Sequence, residues 1–141
     1  MEHVEADPLL FVDTEEIRLV PPGGAHILID MLTECSSLGS VDFLERTLLE
    51  AANASGATVL MSKFHHFGDG YGVTGVVLLA ESHITIHTWP ESNYAAIDVF
   101  MCGKCDPKDT LAIFDKVFDP ITAVYKTAIR TVPTVREKLL N

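Results

Sequence analysis

Val73-Thr74-Gly75-Val76-Val77-Leu78-Leu79-Ala80, His83-Ile84-Thr85-Ile86-His87-Thr88-Trp89 and Tyr94-Ala95-Ala96-Ile97-Asp98-Val99-Phe100-Met101 are three β-branched, strand-like runs in close succession. Only Glu81-Ser82 and Pro90-Glu91-Ser92-Asn93 separate them. Connections this short join antiparallel neighbours, because a parallel crossover needs a dozen or more residues. The three runs therefore read as an antiparallel meander.

On the N-terminal side, Ala57 to Phe64 reads as a further strand, with the loop Gly68-Asp69-Gly70-Tyr71-Gly72 after it. Phe43, Leu44, Leu48 and Ala51 recur at helical spacing, and Gly56 stands where such a helix would stop. From His26 to Leu32, Ile27, Ile29 and Met31 alternate onto one face of a half-buried strand. On the C-terminal side, Asp106 can cap a helix with Pro107 in its first turn. Leu111, Phe114, Val117 and Phe118 supply its buried stripe, and Pro120 ends it. Ala123 to Val132 alternates as a last strand. The coarse order β-α-β-β-β-β-α-β predicts an α+β, two-layer sandwich: a mainly antiparallel β-sheet with helices packed on one face.

The chain has 141 residues, enough for one domain with a real core. Residues 1–24 form an acidic extension closed by Pro21-Pro22-Gly23-Gly24, and 25–141 form the domain. A net charge of -10 argues against nucleic acid or an anionic membrane as partner and favours cationic ligands. No run approaches a membrane span, the acidic start is unlike a secretory signal, and three cysteines make no disulfide framework. The expectation is a cytoplasmic protein.

The densest polar constellation is Glu81-Ser82-His83-Ile84-Thr85-Ile86-His87-Thr88-Trp89-Pro90-Glu91. It closely resembles the signature of the prokaryotic S-adenosylmethionine decarboxylases. The likeness continues through Tyr94 to Phe100 and to Cys102-Gly103, and more weakly back through Gly72-Val73-Thr74-Gly75-Val76 and Ser55-Gly56-Ala57-Thr58. It spans residues 26–132, leaving outside it the leader and Cys105.

The resemblance implies self-cleavage between Glu81 and Ser82, giving a β chain 1–81 and an α chain 82–141. Ser82, held in a strained turn, would attack the Glu81 carbonyl and become a pyruvoyl group, the Schiff-base cofactor that takes the place of pyridoxal phosphate. His87 is implied as the processing base, Thr74 as an assisting hydroxyl holding the Glu81 carbonyl, and Cys102 as proton donor in decarboxylation. On this reading Cys102→Ala spares cleavage and impairs turnover. Glu91 is implied for the ribose hydroxyls of the substrate, with Trp89 and Phe67 near its adenine or sulfonium.

The implied activity is decarboxylation of S-adenosylmethionine for spermidine biosynthesis by a homodimer whose active sites lie near the subunit interface. Relatives with the same self-processing chemistry act on arginine or ornithine instead, and a non-catalytic regulatory paralogue is a further alternative. The C-x-x-C spacing of Cys102 and Cys105 and the four-residue spacing of His83 and His87 are weak signals for redox or metal chemistry; no metal is expected. His65 and His66 read as a solvated loop pair.

Overall fold

A computed structural model describes residues 23–133. The elements are β1 (Gly23–Leu32), α1 (Val41–Ala54), β2 (Val59–His66), β3 (Val73–Leu79), β4 (Ser82–Trp89), β5 (Tyr94–Cys102), α2 (Leu111–Phe118) and β6 (Thr122–Thr131). All six strands join one antiparallel sheet in the order β2-β3-β4-β5-β1-β6. The fold is α+β. Its six strands are the six strand-like runs read from the sequence, with β2 and β3 forming a hairpin around the glycine-rich loop.

The strand pattern sorts side chains onto two faces. Ile27, Ile29, Met31, Val77, Ile84, Ile86, Ile97 and Val99 point to one face and are buried against Leu44, Leu48, Ala51, Phe114 and Phe118 of the helices. Ser40 caps α1 by accepting from the Phe43 N–H at 3.3 Å. The helix closes where Gly56 adopts φ +75° and the Ala57 N–H reaches back to the Ala52 carbonyl. Asp106 accepts from the Lys108 N–H, but the turn it opens is a 3-10 turn over Pro107–Thr110, and α2 proper begins at Leu111.

Two glycines act through close approach. A Cβ on Gly24 would lie 2.4 Å from the Met101 carbonyl oxygen, and one on Gly72 would lie 1.7 Å from that of Thr88. Gly23 and Gly24 are thus the first residues of β1, paired with Thr131 and Arg130 of β6, and the breaker reading of that cluster gives way. The rest of the leader, 1–22, lies outside the described residues. His65 and His66, expected in a loop, are strand residues of β2 opposite Thr74 and Val73, since the β2–β3 pairing runs two residues beyond Phe64.

No helix among the described residues is long and apolar enough to cross a membrane. The sheet face away from the helices is open. It carries Leu28, Leu32 and Leu78, all more than a third exposed, beside a polar group made by His26, His83, Thr85, Asp98 and Arg130.

Candidate active site

Leu79 pairs with Ser82, so Ala80-Glu81 is a two-residue hairpin turn. Such turns favour residues that tolerate positive φ at their centre. Ala80 and Glu81 keep negative φ, and the irregularity falls on Ser82, at φ 146°. A non-glycine residue held there stores about 1–3 kcal/mol of strain. That strain sits on the residue at the expected cleavage point.

The Glu81 carbonyl is held from β5. It accepts from the Cys102 N–H at 3.1 Å and from the Cys102 thiol at 3.1 Å. Two donors aimed at a carbonyl oxygen are what an attacked carbonyl needs as negative charge builds on it. Thr74, expected to hold this carbonyl, is elsewhere: its Oγ1 is hydrogen-bonded to His87 Nδ1 at 3.0 Å, across the β3–β4 pair. The Glu81 side chain bonds to Thr58, whose backbone N–H and side-chain hydroxyl hold the carboxyl pKa below its usual value against the opposing effect of burial.

The named residues fall into two clusters at opposite ends of β4. Ser82 and Cys102 line a cleft of about 400 Å³ with Phe100 and Arg130. Thr74, His87, Phe67, Trp89 and Glu91 line another of about 470 Å³, together with Tyr71. Trp89 stacks on Tyr94 with ring centroids 5.0 Å apart. Ser82 and His87 are five positions apart on one extended strand, about 16 Å. His83 and His87 share a face about 13 Å apart, too far to share a metal ion. Phe100, Cys102 and Arg130 of the first cleft and Thr74, His87 and Trp89 of the second stand at helix-free positions of the sheet.

Sequence reasoning did not find Thr58 or Arg130. Thr58 lies 23 residues from Glu81, and nothing local marks that contact. Arg130 stands 4.7 Å over the Phe100 ring, on a strand that pairs with β1 rather than with its sequence neighbours.

Because Cys102 touches the carbonyl that the expected cleavage would attack, its replacement should affect more than turnover. Cys102→Ala keeps the backbone donor and loses the weaker thiol. We expect cleavage slowed about tenfold and decarboxylation reduced further, measured as fraction cleaved over time and as product per pyruvoyl group. Cleavage at the wild-type rate would show that the thiol does not polarise the carbonyl.

His83 carries a pH signature. Burial, then His26, lowers its pKa; Asp98 opposes this and Arg130 adds to it. The unfolded chain binds this proton near pH 6.5 and the folded chain lower, so the contribution is complete above 6.5 and is lost as pH falls through the folded value. The melting temperature should therefore drop as pH is lowered from about 6.5, with a shallower fall in His83→Gln.

Fold and site together define an open-faced α+β domain with a strained Glu-Ser junction in a hairpin turn and a thiol on its carbonyl. Residues 25–131 match the family model described as S-adenosylmethionine decarboxylase, and the chain belongs to that family. It is 49% identical over 84 residues to the S-adenosylmethionine decarboxylase proenzyme of Acidithiobacillus ferrooxidans, covering 59% of this chain and 62% of that relative. The proenzyme of Methanococcus maripaludis is 44% identical over 99 residues, covering 69% of this chain and 80% of its own length. The crystal structure of the adenosylmethionine decarboxylase of Aquifex aeolicus superposes with a TM-score of 0.70 at 31% identity, covering 84% of this chain and 97% of that one. The matched stretch thus spans less than two thirds of the Acidithiobacillus relative.

Proposed function

We propose that this protein cleaves itself between Glu81 and Ser82 and, as a homodimer, decarboxylates S-adenosylmethionine in the cytoplasm. The observation that carries the proposal is the strained Ser82, whose neighbouring carbonyl is gripped by both donors of Cys102. Attack by Ser82 Oγ on that carbonyl moves the acyl group from nitrogen to oxygen, and the ester left behind breaks more readily than an amide. Removal of the Ser82 α-proton then expels the Glu81 carboxylate, and hydrolysis of the resulting dehydroalanine releases ammonia and leaves a pyruvoyl group.

These residues fit that group: the hairpin places Ser82 at the head of the second fragment, on a cleft that holds Cys102 and Arg130. When formed, it supplies an electron sink for decarboxylation of an α-amino acid. The Cys102 thiol lines the same cleft as Ser82 and is the group we assign to return a proton to the substrate carbon. Thr74 Oγ1 and His87 Nδ1 share a hydrogen bond, and in the tautomer that donates Nδ1–H to Thr74 the lone pair of His87 is on Nε2, where it can accept a proton.

About 16 Å of strand separates His87 from Ser82 within one chain. We assign the base for each Ser82 to His87 of the partner subunit. Both clefts are lined by side chains of the helix-free face, and that face exposes apolar side chains, as interaction surfaces do. A two-fold axis through it would set the Ser82 end of one chain against the His87, Trp89 and Glu91 end of the other. Phe67 and Trp89 would then pack on the substrate's adenine or sulfonium, and Glu91 would accept from its ribose hydroxyls.

Arginine and ornithine are tested side by side with S-adenosylmethionine, using the cleaved protein and following carbon dioxide release. Turnover of S-adenosylmethionine is expected; exclusive turnover of an amino acid would overturn the substrate assignment.

A further inference from the structure

A strained φ persists only where its surroundings over-determine it. At the hairpin tip, Ser82 is fixed by its ladder partners Leu79 and Met101, and the Glu81 carbonyl by Cys102. The remaining freedom is that of the turn itself. Ala80-Glu81 is poor turn sequence, lacking the glycine, asparagine or aspartate that two-residue hairpins use. Left to itself it could relax and take the strain off Ser82.

Thr58 prevents this with three hydrogen bonds. Its N–H donates to Glu81 Oε2 at 3.0 Å, its hydroxyl donates to Glu81 Oε1 at 3.1 Å, and its carbonyl accepts from the Ala80 N–H at 2.9 Å. Both carboxylate oxygens and the turn backbone are thereby tied to one residue. That residue is itself placed by the close of α1, where Gly56 turns the chain, and by the Val59–Leu79 pair that begins β2.

We propose that Thr58 is a positioning residue for self-cleavage: it clamps the Ala80-Glu81 turn and so holds the strained Glu81–Ser82 bond in the geometry that Ser82 attack requires. The role rests on the self-processing reading above. Thr58 touches no reacting atom and acts through the Glu81 side chain and the turn backbone. The clamp explains why a glutamate precedes the serine, since a shorter or apolar side chain would leave the Thr58 donors without a partner.

The test is a time course of cleavage of the full chain, synthesised cell-free and read by mass under denaturing conditions. Thr58→Val keeps the backbone bonds and loses the hydroxyl. It should slow cleavage about tenfold, the rate equivalent of one hydrogen bond to a charged group, and Thr58→Ser should restore the rate. Glu81→Ala should be slow as well, and adding Thr58→Val to it should change nothing, because the two act through one contact. Thr58 is exposed, so adding Thr58→Val to an uncut Ser82→Ala chain should leave its melting temperature the same. Wild-type rates in Thr58→Val, failure of Thr58→Ser to rescue, or an undiminished effect in the Glu81→Ala background would each overturn the clamp. A wild-type chain that never cleaves would overturn self-processing itself, which is a separate outcome from an indifferent Thr58→Val.

Discussion

Ser82→Ala is expected to yield one uncut chain with no decarboxylase activity. Its hairpin keeps the Cys102 donors and the Thr58 clamp, but no hydroxyl remains to attack the Glu81 carbonyl, so neither the ester nor the ketone forms. The loss is the whole of the enzymatic acceleration, which for enzymes is at least about 10⁶-fold, and not a fraction of it. Intact mass under denaturing conditions reads the outcome directly. Wild type should give fragments 1–81 and 82–141, the second with a ketone in place of its amine, and Ser82→Ala a single mass. Cleavage of Ser82→Ala at the same bond would remove the serine from the mechanism.

Co-expression of Ser82→Ala with His87→Ala should restore what each lacks alone. His87→Ala by itself should cleave at least about 100-fold more slowly, the usual loss when a general base is removed. Chains pairing at random form mixed dimers half of the time. In each of these, one site holds Ser82 from one chain and His87 from the other, while the second site holds neither. About a quarter of wild-type sites should therefore process and turn over. A site contained within one chain predicts none, so an inactive mixture would overturn the shared site. The distance along β4 favours the shared site, because no rotamer carries an imidazole across about 16 Å of extended strand.

Much of the fold was legible because alternation is local. Ile27, Ile29 and Met31, or Ile84 and Ile86, show their buried face in the order of residues alone, and the structure buries them all. The helix closed by Gly56 and the strand ending the domain could be read in the same way. Gly24 was misread: in sequence, glycine beside proline signals a break, whereas here it is required by the Met101 carbonyl across the sheet. A residue's opposite strand is not written in its neighbourhood.

The sequence by itself determined the strands, the sidedness of the core, and the Glu81-Ser82-His83 run that marks the family. Those depend on period-two patterning and on contiguous motif residues. The tertiary structure decided which side chains meet. Cys102 reaches the Glu81 carbonyl from 21 residues away, and Thr58 grips the Glu81 carboxylate from 23. Thr74 lies on His87, and His87 stands far from the serine that shares its motif. Strand order and register fix those distances, and they are settled only when β4 is laid between β3 and β5 with β2 alongside. Proximity in the motif then becomes separation along one strand, and residues remote in the chain become the two ends of one hydrogen bond.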